Sequence, residues 1–320
     1  GAELGHLRLG AQAVQRYGAP YVTIHRGDAH QLLLDAVRQR PDLTLHQGKT
    51  VTHFSQDDQG VQLSTEAGNK WSGDALIGAD GVWSALREVL LKDGKPVPTG
   101  HLAYRALVAQ SDLPAALRSQ QVTAWLGPNT HMVQYPVQSG RYLNVVAIVH
   151  EPAGKAWDMT DWDHAAQASV LRTHLQQACA PVQDLVQAID GWRLWVLHGR
   201  TPMRAAAEHA QGRIALVGDA AHPMFPYLAQ GAGMAIEDAC ALGASLAMPG
   251  MAVAQQLQTF ANARWQRNAR VQARSARNGK IFHARGLVAV GRNASLRLLG
   301  ERLLDVPWLY RGPAPVSPSA

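Results

Sequence analysis

Asp80 and Asp219 are the two residues whose surroundings most clearly predict a binding site. Asp80 follows the apolar run ALIGA, residues 75–79, and Asp219 follows the run RIALV and a glycine, residues 213–218. Ligands of open α/β sheets collect beyond the carboxyl ends of the strands. An ionised carboxylate accepts hydrogen bonds and donates none, so each side chain suits the hydroxyl groups of a sugar or ribityl chain. One such acid is more often a turn former, but two of them favour a site for a polyhydroxylated or phosphorylated cofactor.

A phosphate needs hydrogen-bond donors and positive charge, which a carboxylate does not offer. The stretch that follows Asp219 supplies both. Its sequence HPMFPYLAQGAGMAIEDA, residues 222–239, predicts a proline-punctuated loop and then a helix from Gly231 to Leu246. The positive N-terminus of such a helix attracts anions, and small residues let its backbone approach them closely. The backbone around Gln230, Gly231 and Ala232 is therefore a candidate contact for a diphosphate.

The elements around these acids predict an α/β protein. The runs at 75–79 and 213–217 are predicted as buried strands, and Ser84 is placed to cap a helix that ends at Leu91. Residues 101–149 instead alternate in the manner of a β-sheet. The other predicted elements are a strand at Tyr21–His25, helices at 29–38 and 163–179, a hairpin at 50–54 and 61–65, and sheet strands at 104–108, 122–126, 131–135 and 142–149.

This order of elements predicts a discontinuous Rossmann-like nucleotide-binding domain with an inserted β-sheet domain and an Arg-rich helical C-terminus. The two parts of the nucleotide-binding domain are predicted at residues 1–98 and 201–248. The inserted sheet-rich domain is predicted at 99–200 and the helical region at 249–320.

Composition excludes several other classes of protein. The 320 residues are 47% hydrophobic and 17% charged, which is typical of a packed globular chain. No apolar run approaches the roughly 18 residues that cross a bilayer. The two cysteines, Cys179 and Cys240, are too few for a disulfide framework or a cysteine metal site. We expect a soluble, cytoplasmic protein with no metal and no membrane partner.

Positive charge is concentrated at one end of the chain. Residues 249–320 hold ten arginines, one lysine and two acids, a net charge of +9, whereas residues 1–248 carry −3. Arginines 264, 267, 270, 274 and 277 recur at helical spacing and so share one helix face. With little aromatic interleaving and no recognisable binding module, a solvated or internally paired face is favoured over a nucleic-acid contact.

The two acid-containing segments flank a predicted sheet and resemble the DG and GD motifs of the group A flavoprotein monooxygenases. These are FAD-dependent aromatic hydroxylases related to para-hydroxybenzoate hydroxylase. The segment 222–239 is most similar to the branch of salicylate, 3-hydroxybenzoate and 6-hydroxynicotinate hydroxylases. Further similar stretches along nearly the whole chain are YVTIHRGDAHQLL, AYRALV, Tyr135-Pro136, the Arg-rich helix and the closing PWLYRG.

This resemblance implies an FAD-dependent monooxygenase that hydroxylates a phenolic aromatic acid with NADH or NADPH and O2, through a flavin C4a-hydroperoxide. Oxidation or epoxidation of a non-phenolic substrate is the alternative on the same fold. The family begins with a strand, a G-x-G-x-x-G turn and a helix, and the chain has no such sequence. The resemblance therefore implies an N-terminally truncated member, and a non-catalytic fragment with impaired FAD binding stays open, as does a homodimer.

Carried onto this sequence, the resemblance implies that Asp219 binds the ribityl or diphosphate region of FAD. It implies that Arg26 contacts the cofactor and that Asp80 serves both FAD and the nicotinamide donor. The segment from Pro226 to Gly233 would pass close to the isoalloxazine ring. Reduced flavin is anionic, and a helix N-terminus stabilises nearby negative charge by about 0.3–1 kcal/mol.

Hydroxylation of a phenol calls for a dry pocket and a base with a pKa near neutrality. His222 lies within the motif and is the candidate base or proton relay, with a structural loop histidine as an equal alternative. Tyr227 is a candidate to orient the substrate or extend a proton path, against ordinary aromatic packing.

On the predicted sheet, Tyr104, His131 and Tyr135 are candidates to face the substrate. Strand alternation puts Tyr104 and Arg105 on opposite faces, so at most one of them points inward. We expect Tyr104 to be that residue. Arg105 is the alternative, since arginine pairs with a carboxylate through two parallel hydrogen bonds.

Overall fold

The computed structural model describes residues 1–151 and 164–316 of the chain. The predicted helix at 163–179 begins outside the described residues, and within them it is too long, because residues 164–166 form a strand and the helix covers only Ala168–His174. The strands are β1 (Val51–Gln56), β2 (Val61–Thr65), β3 (Lys70–Gly73), β4 (Leu76–Gly78), β5 (Val97–Ala109), β6 (Thr123–Gly127), β7 (Thr130–Val137), β8 (Tyr142–His150), β9 (His164–Ala166), β10 (Trp192–Gly199), β11 (Ala210–Gln211) and β12 (Ile214–Leu216). The helices are α1 (Ala11–Tyr17), α2 (Arg26–Arg38), α3 (Ala85–Leu91), α4 (Ala168–His174), α5 (Ala180–Gln187), α6 (Ala206–His209), α7 (Gly231–Leu246), α8 (Val253–Phe282), α9 (Gly286–Leu299), α10 (Glu301–Leu304) and α11 (Pro307–Tyr310).

The chain divides into two compact units. The first, called the sheet unit, comprises Gly1–Pro41, Pro98–Leu197 and Gly279–Arg311. The second, called the parallel-strand unit, comprises Asp42–Val97, His198–Asn278 and Gly312–Ala320. These units group residues 1–41 with the sheet, and the predicted domain boundaries stay a prediction.

The sheet unit is built on a six-stranded sheet of order β6-β7-β8-β5-β10-β9. Long alternating stretches form its central strands, because alternation places every second side chain on the same face. One face packs on α4 and α5 through Leu143, Val145, Leu171 and Leu185, all buried. Burial of each such side chain contributes about 1.5–3 kcal/mol to stability. The predicted strands in 101–149 are confirmed, with β5 longer at both ends than expected.

The parallel-strand unit contains two smaller sheets, β1-β2-β3 and β11-β12-β4. β1 and β2 form the predicted antiparallel hairpin, and β4 and β12 pair in parallel. Ser84 caps α3 as predicted, its Oγ accepting a hydrogen bond of 2.9 Å from the Arg87 amide. Helices α7 and α8 cover β12 through apolar side chains such as Leu257 and Phe260. The mixed α/β class is thus confirmed.

One predicted strand is wrong. Tyr21–His25 forms no strand in the described part of the chain, and it leads directly into α2, which begins at Arg26 rather than at Ala29. Its alternating β-branched residues suit a strand, but a strand needs a hydrogen-bonding neighbour, and none of the described residues provides one here. Val22 and Ile24 are exposed as a result.

Among the described helices, none has the combination of length and low charge that a bilayer crossing requires.

Candidate functional site

The two predicted acids lie at one edge of the sheet β11-β12-β4. β4 and β12 run in parallel with Gly78 opposite Leu216, and these are the last residues of the two strands. Asp80 and Asp219 follow shortly after, and both side chains are exposed. Because the strands are neighbours and parallel, their carboxyl ends coincide, as the sequence predicts.

A tight turn presents Asp219 to solvent. Gly218 has a φ of 58°, in the left-handed region that favours glycine. A Cβ at this position would lie 3.3 Å from the Cβ of Ala235 in α7, so the close approach also favours glycine. The turn Gly218–Ala220 buries Ala220 and leaves Asp219 outside. The glycine before the acid therefore lets β12 turn against α7.

The N-terminus of α7 lies beside Asp219. A Cβ placed on Gly231 would be 3.9 Å from Oδ1 of Asp219. Ala229 adopts a left-handed conformation with a φ of 51°, and Gln230 at the N-cap makes no capping hydrogen bond with its side chain. The first-turn N–H groups are thus left to other acceptors, and an anionic or carbonyl oxygen can fill that role.

Asp238 of α7 is a buried hub behind this edge. Its Oδ2 accepts a hydrogen bond of 3.0 Å from the Gly218 amide and another from Nε2 of His222. Its Oδ1 accepts from Nε of Arg264 at 2.8 Å and from Nδ2 of Asn268 at 3.0 Å. All four side chains of this hub, Asp238, His222, Arg264 and Asn268, are buried.

The charge of Asp238 is held by these partners. Burial by itself raises the pKa of this carboxyl, but hydrogen bonds from His222, Asn268 and Arg264 and the charge of the histidine lower it further than burial raises it. The net pKa of Asp238 lies below its ordinary value. The hub therefore contains a carboxylate paired with a buried guanidinium.

His222 is part of this hub. Its side chain is buried, and its Nε2 is committed to Asp238. It stacks on His209, with ring centroids 5.9 Å apart. This placement favours the structural alternative that the sequence left open, and a catalytic role for His222 stays a prediction.

The loop between the turn and α7 carries the other predicted contacts. Pro226 begins a short 3-10 turn that ends at Leu228, and its side chain is exposed, as is that of Ala232. Tyr227 is buried, with its ring 5.7 Å from that of Phe225, and burial raises the pKa of its phenol. Its packing fits the aromatic-packing alternative.

The arginine stripe of α8 is paired internally where it meets α7. Arg264 contacts Glu237 at 2.8 Å as well as Asp238, and Nε of Arg267 contacts Glu237 at 2.7 Å. The sequence expectation of a solvated or internally paired face is confirmed at these two positions.

In the sheet unit, Arg26 is the first residue of α2 and lines a cleft of about 200 Å³. The cleft is rich in cationic and aromatic groups. The guanidinium of Arg105 lies 4.0 Å from the centre of the Trp195 ring, in a cation–π contact. Other lining residues are Arg193, His25, Tyr135 and Asn144. This chemistry suits a small anion with an aromatic ring.

The structure places Tyr104 away from this cleft. Strand pairing puts Tyr104 opposite Ala147, on the face covered by α4 and α5, where it is 1% exposed in the apolar core. Burial raises the pKa of its phenol to about 12. The expectation that Tyr104, rather than Arg105, shares a face with Tyr135 is not met. In the register of β5, β8 and β7, Arg105 lies on the face of Tyr135 and Tyr104 lies on the other.

A cluster of histidines occupies the same face of the sheet as Tyr135. Nδ1 of His131 lies 2.7 Å from Nε2 of His283, and the rings of His101 and His283 are 5.1 Å apart. The ring of His150 lies 5.1 Å from that of His101. No three metal-binding side chains of the described residues are arranged to hold a metal ion. The cluster is therefore a packed set of imidazoles.

The profile of the FAD binding domain family matches residues 7–275. The chain belongs to this family.

Its relatives within the family are group A flavoprotein monooxygenases, so the enzyme class expected from the resemblance, a flavin-dependent aromatic hydroxylase, is confirmed. The 3-hydroxybenzoate 6-hydroxylase of Polaromonas naphthalenivorans (strain CJ2) is 34% identical over 312 residues, which are 97% of this chain and 76% of that protein. A salicylate hydroxylase substrate complex matches with a TM-score of 0.77 and 28% identity, over 90% of this chain and 72% of that one. Klebsiella pneumoniae HpxO complexed with FAD and uric acid matches with a TM-score of 0.77 and 27% identity, over 92% and 73%.

The edge formed by β4, β12 and α7 fits the FAD of this family. Exposed carboxylates suit ribityl hydroxyls, and the uncapped N-terminus of α7 suits a phosphate or a flavin carbonyl. Gly231 keeps the backbone beside Asp219 free of a side chain. FAD is the cofactor that the matching family binds, and HpxO was solved in complex with it.

Two groups of residues escaped the sequence analysis. The hub at Asp238 was missed because an acid inside a predicted helix gives no sign of what it faces, although the arginine stripe was an indirect signal. The histidine cluster was missed because His283 reaches His131 across 152 positions of sequence. Only the tertiary fold brings such residues together.

The histidine cluster predicts a loss of stability in acid. Burial, followed by the neighbouring imidazoles, lowers the pKa of His131 to about 3 and of His283 to about 4. Histidines of the unfolded chain titrate near pH 6.5. The contribution of these two histidines to the free energy of unfolding is therefore fully present above about pH 6.5. It decreases as the pH falls below about 6.5 towards 4 and then 3, because the unfolded chain then binds more protons than the folded one. Each neutral histidine contributes a slope of about 1.4 kcal/mol per pH unit in this window. Urea unfolding at pH 7, 6 and 5 measures the slope.

The matched variants are His283→Gln in the cluster and His30→Gln on the exposed surface of α2. We expect His283→Gln to flatten the dependence between pH 6.5 and 5 and His30→Gln to leave it unchanged. Equal slopes in all three proteins would rule the cluster out as the source.

Proposed function

We propose that this chain hydroxylates a phenolic aromatic acid, of the hydroxybenzoate or salicylate kind, using FAD, NADH or NADPH, and O2. One observation carries the proposal: the parallel pair β4 and β12 brings Asp80 and Asp219 to one edge, beside the N-terminus of α7. The similarity to a 3-hydroxybenzoate 6-hydroxylase and to a salicylate hydroxylase supports the substrate class.

Within this proposal, each predicted cofactor residue has a defined task. Asp219 accepts hydrogen bonds from the ribityl chain or lies next to the diphosphate, and Asp80 serves FAD and the nicotinamide donor. Arg26 contacts the cofactor. The backbone of the remaining residues approaches the isoalloxazine ring: Pro226, Gln230, Gly231 and Ala232.

Bound FAD would take up a hydride from the nicotinamide donor and then activate O2. The task of the chain is to bind and stabilise it. The first-turn N–H groups of α7 stabilise negative charge near them by about 0.3–1 kcal/mol, and by more when partly buried. The Asp238 hub fixes the turn at Gly218 and so the direction in which Asp219 points.

For the substrate, we propose that Arg105 binds the carboxylate. It lines the cationic cleft of the sheet unit, and its planar guanidinium can donate two parallel hydrogen bonds to a carboxylate. The placement of Tyr104 in the apolar core supports Arg105 over Tyr104 for this contact. His222 stays the predicted base or proton relay, and Tyr227 stays the residue predicted to orient the substrate or extend a proton path; both are buried.

A second candidate is oxidation of a non-phenolic heterocycle on the same fold. It is favoured by the similarity to HpxO, whose structure was solved in complex with FAD and uric acid. A non-catalytic protein with impaired FAD binding is the remaining alternative from the sequence.

The experiment is a flavin absorbance spectrum of the purified chain, followed by NADH and NADPH oxidation with 3-hydroxybenzoate, salicylate, 4-hydroxybenzoate, 6-hydroxynicotinate and uric acid. We expect a yellow protein, and a phenolic acid that both accelerates NAD(P)H oxidation and yields a hydroxylated product by chromatography. Turnover of uric acid alone would favour the second candidate. A protein that takes up no FAD, even when FAD is added, would contradict both.

A further inference from the structure

We propose that three polar side chains of α8 form a template that sets the conformation of the loop segment 223–228. The three residues, called the template stripe, are Gln272, Ser275 and Asn278. They are positioning residues, because their hydrogen bonds go to backbone carbonyls of the loop, that of Tyr227 included, and not to the phenol or imidazole of a predicted catalytic residue. The functional consequence rests on the proposed FAD site, since this segment leads into the N-terminus of α7.

Each member of the stripe donates one hydrogen bond to a carbonyl of the segment. Oγ of Ser275 donates to Phe225 at 2.6 Å, in the middle. The two amide side chains donate on either side, Nε2 of Gln272 to Pro223 at 3.0 Å and Nδ2 of Asn278 to Tyr227 at 3.1 Å. The order of the three donors along α8 is therefore the same as the order of their acceptors along the loop.

The spacing explains why the three bonds form together. Steps of three residues keep side chains on one face of a helix, about 4.5 Å apart along its axis. Steps of two residues keep carbonyls on one side of an extended segment, about 6.6 Å apart when it is straight. The segment is shorter than a straight strand because its end, Pro226–Leu228, is a 3-10 turn with a rise of about 2.0 Å per residue. Three side-chain donors on one face of α8 can thus reach three carbonyl acceptors of the loop at the same time.

The segment depends on outside donors. Pro223 and Pro226 have no N–H group, so the segment cannot complete a strand ladder of its own. Ser275 is fully buried and Gln272 is nearly so, which means that water does not readily replace them. Removal of one donor leaves a shielded carbonyl without its hydrogen bond.

The same helix face also holds the start of the loop. Arg264 and Asn268 bind Asp238, which binds the amide of Gly218. Together with the stripe, they place contacts on α8 at intervals of four, four, three and three residues. The loop from the Gly218 turn to Tyr227 therefore lies along one continuous face of α8, and the geometry of the proposed flavin site is set by this helix.

The first test uses hydrogen–deuterium exchange of the FAD-free protein, read by mass spectrometry in peptides that cover residues 222–233. Ser275→Ala is expected to speed exchange there about 10-fold, because a buried acceptor loses its donor. Asn278→Asp, which replaces a donor by an acceptor facing a carbonyl, is expected to have at least the same effect. Ser275→Thr keeps the hydroxyl and is expected to restore protection.

The matched control is Thr259→Val in the same helix. Its hydroxyl is also buried, but it donates to Gln255 of α8 itself, at 2.9 Å. We expect this variant to leave exchange in residues 222–233 unchanged. If the exchange rate of residues 222–233 in both Ser275→Ala and Thr259→Val is within twofold of the wild-type rate, the template is refuted.

The second test measures FAD affinity and the absorbance spectrum of the bound flavin. Ser275→Ala is expected to weaken FAD binding about 10-fold and to shift the flavin spectrum, while Thr259→Val with equal loss of thermal stability does neither. If the wild type binds no FAD, the proposed function fails, and the exchange experiment still decides the template. Faster exchange in Ser275→Ala with unchanged FAD affinity and flavin spectrum would show that the stripe orders the loop without affecting the flavin. It would overturn the claim that the stripe sets the geometry of the proposed flavin site.

Discussion

Asp219→Ala is expected to weaken FAD binding by about 10- to 100-fold, because hydrogen bonds to a charged acceptor contribute about 1.5–3 kcal/mol each. The side chain is exposed at the edge of the sheet, so its loss should leave the fold intact. Titration of the FAD-free protein with FAD, followed by flavin fluorescence, measures the affinity. Circular dichroism shows whether the secondary structure is retained.

The matched control is Asp74→Ala. Asp74 is also an exposed acid next to β4, but it precedes the strand, whereas the candidate edge lies after it. We expect the affinity for FAD to be unchanged in this variant. Equal FAD binding by the Asp219 variant and the wild type would overturn the cofactor assignment.

Asp238→Ala is expected to lower the free energy of unfolding by about 3–5 kcal/mol, the cost of removing one partner from a buried ion pair. The substitution leaves the guanidinium of Arg264, which is 1% exposed, without its buried carboxylate. It also removes the acceptor of the Gly218 amide and of the His222 ring. Urea unfolding followed by tryptophan fluorescence measures the change.

Two further variants test the physical cause. Glu237→Gln removes the neighbouring carboxylate, which is partly exposed, and should cost about 1 kcal/mol or less. Adding Arg264→Met to Asp238→Ala should recover part of the stability, because it removes a buried guanidinium that has lost its buried carboxylate and retains only the partly exposed Glu237. A double variant that is less stable than Asp238→Ala would show that the buried charge is not the cause.

Local sequence signals predicted the elements that form the edge. The apolar run before each acid, the capping Ser84 and the small residues around Gly231 act over a few neighbouring positions, and they appear in the structure as β4, β12, α3 and α7. The strand expected at Tyr21–His25 failed because strand formation depends on a partner and the sequence of one segment does not supply it.

The sequence could not predict which polar groups meet across long separations. Periodicity put Tyr104 and Arg105 on opposite faces, but the direction of each face depends on the register with β8 and on what covers the sheet. Similarly, the sequence left His222 equally compatible with catalysis and with structure, and it could not predict the contact with Asp238 that favours a structural role. Register and tertiary packing decide these cases, and both are properties of the whole chain.

The parallel pairing of β4 with β12 has a consequence for the order of folding. Ile214 pairs with Leu76 across 138 positions of sequence, and the intervening chain includes the central strands of the sheet unit. Contacts of such separation carry a high entropic cost of loop closure and form slowly. On the ribosome, the edge that holds Asp80 and Asp219 cannot close before β12 has emerged. A ligand bound at this edge can therefore stabilise only a chain in which β12 has been synthesised and has paired with β4.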